Sequence, residues 1–424
     1  YFPFTDAHRR TYRWNEDGMA GLSDLRQDLC LSLALWNGRD EHLKERMFGL
    51  SGPQGNHGED AKEYWWYTDA TPSHAWLSWR YHYPQAAYPY QDLLKTNQQR
   101  TRTEPEYELC DTGIFADDRY WAVTVDYAKE SPTDIGMRIR VTNKGPEADT
   151  IHVLPHLWFR NTWEWGRKSA LPQLWHQPMA ATPGTIMAQH WRAGVYRFQA
   201  APTDEGVHPL PLFCDNTSNE EDLWGSPNKS PFPKDGIGNH VVHGAATVNP
   251  NRNGTKAAWW YTADIEPGQT VEFRLRLAGE AAEHPEHHPS SAHGFTKLMD
   301  QRRTEADEYY AHLSPADATE DERAVMRQAF AGMIWGKQFY RYNVALWLDG
   351  DPDEPPPPPE HRLIRNANWR NVDCYDVISM PDAWEYPWFA AWDLAFHTVV
   401  FAHVDALYAK YQILLMLREC YMHP

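Results

Sequence analysis

The chain has 424 residues, 42% of them hydrophobic and 23% charged, which fits a globular protein of two or three domains and not a disordered one. Its formal charge of −18 would be repelled by phosphate backbones and anionic membrane surfaces, so neither nucleic acid nor membrane is expected as a partner. No apolar run approaches the ~20 residues of a spanning helix, and a neutral ligand such as a sugar remains compatible with the charge.

Five widely spaced cysteines without a CxxC pattern argue against a disulfide framework, which makes a cytoplasmic location the expectation. Three N-x-S/T triplets (Asn216, Asn228, Asn253) and a start at Tyr1 leave a secretory leader upstream open. No nucleotide-binding, nucleophile-elbow or zinc-protease motif is present, so no cofactor is expected. The unusual numbers are 21 Trp and 22 Tyr. Core packing is their ordinary use, but many stand beside amides and acids, as in the segment from Trp158 to Trp165. Aromatic faces beside polar groups suit a pyranose, with its C–H faces and hydroxyls.

The first ~280 residues read as β-rich. Trp121, Val123, Val125 and Tyr127 alternate with other residues, as do Met137, Ile139 and Val141, and again Val271, Phe273, Leu275 and Leu277. One-face-apolar strands of this kind predict antiparallel sheets packed as a sandwich over 1–282. The aromatic and proline-rich stretches 64–90 and 202–234 read as long loops.

From residue 283 the character changes. A His- and Pro-rich linker with a helix from Phe295 to Leu313 is predicted over 283–318. Metal binding by His284, His287, His288 and His293 is disfavoured by the intervening prolines. Thr319-Glu-Asp-Glu322 has the form of a capping box and opens a second helix, on which Trp335, Gln338 and Tyr342 would share a side. Asp349, Asp351, Asp353 and Glu360 mimic a calcium-loop spacing, but Glu354 replaces the glycine and five prolines follow. Helix resumes near Asp393, and the stop at Pro424 straight after an apolar run predicts a longer polypeptide.

The densest polar–aromatic cluster runs through Asn366, Asn368, Trp369, Arg370 and Asp373, then from Asp376 to Asp393. Cleaving a glycoside needs a carboxylic acid kept protonated near neutrality, which apolar surroundings favour. Asp393, between Trp392 and Leu394, suits that role, and it equally suits a helix N-cap. Asp382 and Glu385 are rival acids, and the tryptophans around them are equally good core residues. A glycine-rich loop, Gly52–Tyr64, reads as backbone passing close to something or as plain surface.

Three segments carry a family resemblance: Gly52–Tyr64, Leu157–Gly166 and above all Asp376–Asp393 with its W-x-x-x-W-D ending. They resemble the large bacterial and fungal members of glycoside hydrolase family 63. The resemblance implies an N-terminal β-sandwich, a helical linker and an (α/α)6 barrel, of which 319–424 would be the first part. It also implies inverting hydrolysis of an α-linked glucoside or a related α-glycoside, with Asp393 as general acid and Trp388 against the sugar. Trp392, Glu385, Trp369, and Trp335 and Tyr340 on the first barrel helix, would line the cleft. The general base would lie in the remaining C-terminal part of the polypeptide, and Glu59, Asp60 and Glu63 are the substitutes this chain could offer. A glycoside phosphorylase would need a cationic site that only Arg370 and His397 suggest near Asp393, and a non-catalytic sugar-binding protein would bind without turnover.

Overall fold

The computed structural model describes residues 4–418 except 12–13, 15, 52–53, 55–59, 165–169, 180–182, 283–286, 352–354 and 383–388. Two large antiparallel sheets, of five and nine strands, occupy the first two thirds. The three alternating stretches read in the sequence become neighbouring strands of the larger sheet: Tyr120–Ser131, Asp134–Asn143 and Thr270–Gly279. Their apolar residues fall in register, Val125 opposite Ile139 and Ile139 opposite Phe273, so all point to one face.

That face closes on the smaller sheet. Trp79, Tyr81, Val125, Tyr127 and Phe273 from one sheet share a buried cluster with Leu33, Val153, Leu157, Trp259 and Tyr261 from the other. Burying each such side chain contributes on the order of 2 kcal/mol. The phenol tips stay satisfied: the Tyr127 hydroxyl donates across to the Ala20 carbonyl at 2.7 Å, and Tyr261 to Ala201 at 2.7 Å.

The stretch 64–90 departs from the loop expectation. It holds the strands Trp65–Ala70 and Trp76–Pro84, which form one edge of the nine-stranded sheet. Trp and Tyr are strong strand formers, and Trp79, Tyr81 and Tyr83 alternate inward, a period hidden by aromatic residues on both faces.

The long helix Ala292–Leu313 lies on this sheet, burying Phe295, Leu298 and Met299 against Trp76 and Ala128. It approaches closely because residue 136 is glycine: a Cβ there would stand 3.0 Å from Met299 and 3.2 Å from Phe295. The next helix, Glu320–Trp335, starts in the capping box read from the sequence, the Thr319 hydroxyl accepting from the Glu322 amide and the Glu322 carboxylate accepting from Thr319.

Asp69 ties that helix to the sheet. Its carboxylate accepts from Arg327 at 2.8 and 2.5 Å and from the Trp76 indole at 2.9 Å, and its carbonyl accepts from the Trp335 indole at 3.2 Å. Asp69→Ala leaves Arg327 the exposed carboxylate of Asp307 and the Tyr310 ring, and strands the Trp76 indole. We expect a loss of about 3 kcal/mol, read as a fall of several degrees in the thermal midpoint. An unchanged midpoint would mean that the clamp adds nothing to the helix–sheet junction.

The helix ends about two turns earlier than its aromatic spacing implied. Gly336 caps it, and Lys337–Asn343 is a strand paired with Asp373–Ser379. Tyr340, expected on the helix with Trp335, is therefore on a strand, as are Gln338 and Tyr342. The alternation Phe339, Arg341 against Tyr340, Tyr342 suits a hairpin better than a helix. Two helices follow, Ala391–Val404 and Ala406–Arg418, packed on each other. Among the described residues these helices do not close a ring, and none is long and apolar enough to cross a membrane.

Candidate active site

The hairpin and the helix Ala391–Val404 frame the region where the sequence places its acid. The strand Asp373–Ser379 pairs in register with Lys337–Asn343, so Asp376 stands opposite Tyr340 and Ser379 opposite Lys337. The chain leaves this strand at Met380 and enters the helix at Ala391. Trp388 and Glu385, in the connection between them, lie outside the described residues.

Asp393 is the third residue of the helix and not its N-cap, which is Ala390 without a side-chain bond. The backbone turns helical two residues before Asp393, because Ala391 and Trp392 are themselves compatible with the first turn. An acid there interacts favourably with the helix dipole, so position alone does not demand a catalytic role. The carboxylate is half-buried and, among the described residues, makes no hydrogen bond or ion pair. His397, one turn on, is its electrostatic neighbour. Burial holds the His397 imidazole below its ordinary value, against the pull of Asp393, and its Nδ1 stands 2.8 Å from the Ser379 hydroxyl.

The other expected residues disperse. Trp392 is 74% exposed, with its ring edge-on to Phe396 at 6.0 Å. Tyr340 is half-buried, 6.2 Å from Phe389 where the connection rejoins the helix, and burial raises its hydroxyl above the ordinary range. Trp369 is half-buried after the turn Arg365–Asn368, on the link between the two hairpin strands. Trp335 is buried and stacked on Tyr67 at 5.2 Å, which makes it part of the junction with the sheet. Asp393 and Tyr340 thus flank the same connection, while Trp335 packs at the helix–sheet junction and Trp369 lies on the link between the hairpin strands.

A feature without a sequence signal lies beside them. A cavity of about 1230 Å³ opens between the sheets, the segment 16–31 and the hairpin, and Trp335, Phe339 and Asp376 contribute to its wall. The wall's carboxylates are engaged: Arg192 grips Asp28 at 2.7 and 2.5 Å, and Asp376 accepts from the Tyr411 hydroxyl at 2.6 Å and Arg418 at 2.8 Å.

Metal binding finds little support. Among the described residues Asp60, Glu106 and Glu108 gather closely enough, but the buried Lys62 ammonium bonds all three. That cation fills the role a metal would take. Asp349 of the calcium-like spacing pairs with Arg370 at 2.5 Å, and Asp353 lies outside the described residues.

No family model matches the chain. An uncharacterized protein of the yeast Saccharomyces cerevisiae is 38% identical over 463 aligned residues, covering 100% of this chain and 42% of its own. The chain therefore spans well under half the length of that relative. Among solved structures, a glycosyl hydrolase of family 92 overlaps 95% of this chain and 46% of its own at 12% identity, with a TM-score of 0.29. An Escherichia coli K12 protein provisionally assigned as an aldose 1-epimerase overlaps 50% of this chain and 67% of its own at 8% identity, with a TM-score of 0.25. Superpositions this loose fix neither a shared fold nor a shared activity.

Proposed function

We propose that this chain is the N-terminal portion of an inverting glycoside hydrolase acting on an α-linked glucoside or a related α-glycoside, with Asp393 as the general acid. The regions 1–282, 283–318 and 319–424 would be a β-sandwich, a linker and the first part of an (α/α)6 barrel. The observation that carries the reading is Asp393 itself. It is a half-buried carboxylate without a hydrogen bond or ion pair among the described residues, at the end of the segment that resembles family 63. Carboxylates held for structural reasons elsewhere in this protein, such as Asp69 and Asp28, are clamped by arginine.

In this mechanism Asp393 donates its proton to the glycosidic oxygen as the bond to the anomeric carbon breaks. A second carboxylate takes a proton from water, which attacks the opposite face of the sugar. Trp388, Trp392 and Glu385 would meet the sugar, with Tyr340 beside them. The partners are the glycoside and the rest of the polypeptide, and no cofactor takes part.

The direct test uses a polypeptide extended to the length of the yeast relative. Sugar release from a panel of α-linked disaccharides and glycosylglycerates, with the anomer of the first product read by NMR, should show inversion. Retention, release only with added phosphate, or binding without turnover would each overturn the proposal. In the same polypeptide Trp388→Ala should raise KM about tenfold or more while the thermal midpoint changes little, since the ring meets sugar and not core. A large fall in midpoint with KM unchanged would make Trp388 a packing residue.

A further inference from the structure

We propose that one end of the large cavity, where His74, Lys129 and Lys337 meet, binds the anionic group of a sugar derivative, a carboxylate or a phosphate. All three residues line the cavity, together with Tyr408. The site goes beyond the hydrolysis reading, because it requires binding and no turnover.

Lys129 is the decisive group. It projects from the strand Tyr120–Ser131, and its ammonium donates to the Ser73 carbonyl at 3.3 Å. No carboxylate lies against it among the described residues, and burial alone lowers its pKa. The bond to Ser73 is solvent-exposed, so an anion can reach the ammonium and exchange with water at its remaining hydrogens. Lys337 differs, since it pairs with Asp405 at 2.8 Å and lies 4.2 Å above the Tyr408 ring. The positive charge of Lys129 is thus the one left over at this end.

Two further donors line the same cavity. His74 sits at φ 54° in the turn whose amide donates to the Thr71 carbonyl at 2.8 Å, a left-handed conformation that histidine tolerates better than most residues. Burial, reinforced by Lys337 and Lys129, lowers His74 to about 3, so its imidazole is neutral and still offers one N–H. The Tyr408 hydroxyl is buried and has no partner among the described residues. An ammonium, an imidazole N–H and a phenol form a donor set for oxyanions, and charge-assisted bonds to it are the strong ones. Beyond this end the cavity wall carries Tyr67, Trp158 and Tyr375, and the volume admits a disaccharide-sized body. Because the protein carries −18 overall, attraction is local and does not steer anions from afar.

Equilibrium dialysis of the 424-residue chain in dilute solution at pH 7, with labelled glucuronate, glucose 6-phosphate and glucose, tests the site. At least one of the two anions should bind tenfold or more tightly than glucose, and the stronger anion identifies the preferred group. Lys129→Met should remove about tenfold of that preference without altering glucose binding, and Lys129→Arg should keep most of it. Raising the salt concentration should weaken the anion selectively. Equal binding of glucose and both anions, or an undiminished preference in Lys129→Met with its thermal midpoint intact, overturns the proposal. Hydrolysis of a neutral α-glucoside by the extended polypeptide is untouched by Lys129→Met, so failure here leaves the assignment of Asp393 standing.

Discussion

Asp393→Asn in the extended polypeptide is expected to lower kcat about a thousandfold on glycosides with poor leaving groups, with KM nearly unchanged. A positioned general acid contributes typically ~10²–10⁴-fold, and an amide of the same shape has no acidic proton to give. The substitution should cost little stability. Asp393 is not the N-cap of its helix and makes no hydrogen bond or ion pair among the described residues, so what is lost is a first-turn dipole interaction of at most ~1 kcal/mol. The combination separates catalysis from folding. A leaving group that needs little protonation, such as fluoride, should be cleaved by the variant at a much larger fraction of the wild-type rate. If poor leaving groups are still cleaved at full rate, the acid is Asp382 or Glu385.

The strands were legible wherever one face was apolar and the other polar. Val123, Val125, Met137, Ile139, Phe273 and Leu275 announce their register in a period of two, and the structure pairs them accordingly. Strands with aromatic residues on both faces were not legible, as at Trp65–Ala70 and Trp76–Pro84, where the period disappears into uniform Trp and Tyr. The capping box at Thr319 located a helix start to the residue, because it is a local hydrogen-bond device. The helix end is hidden for a related reason: Trp335, Gln338 and Tyr342 fit a helical spacing, and only the glycine at 336 marks where it stops. The cavity had no sequence signature at all. Its wall combines segments near residues 16–31, 67–79, 129–135, 192–196, 334–339, 375–377 and 408–411, which meet only through tertiary packing. Asp393 lay between these cases. Its segment carries a resemblance, but whether it capped a helix or stood inside one depended on where Ala390 and Ala391 turn.

The 424-residue chain alone is expected to show no glycosidase turnover. Inversion needs a second carboxylate ~6.5–9.5 Å from the acid, across the sugar, to activate water. The substitutes that the sequence offered are committed elsewhere. Glu63 is buried, its carboxylate bound to the Lys44 ammonium at 2.6 Å and the Tyr81 hydroxyl at 2.5 Å, and Asp60 is bonded by Lys62. Glu59 lies outside the described residues. Asp376 faces the cavity but is held by Tyr411 and Arg418, a poor arrangement for a base that must pick up a proton. The two last helices also present an apolar face that none of the described residues covers. Phe396 and Val399 on the first, and Leu407, Leu414 and Leu417 on the second, are each at least 64% exposed. Leu415 instead points inward against Ile378 and Met380. An apolar surface of this extent favours association, so the chain should bind a hydrophobic dye and self-associate in light scattering. The extended polypeptide should do neither, since in our reading further barrel helices cover that face and bring the base. Inverting turnover by the purified 424-residue chain would overturn this expectation, and it would place the base within the segment around Glu59.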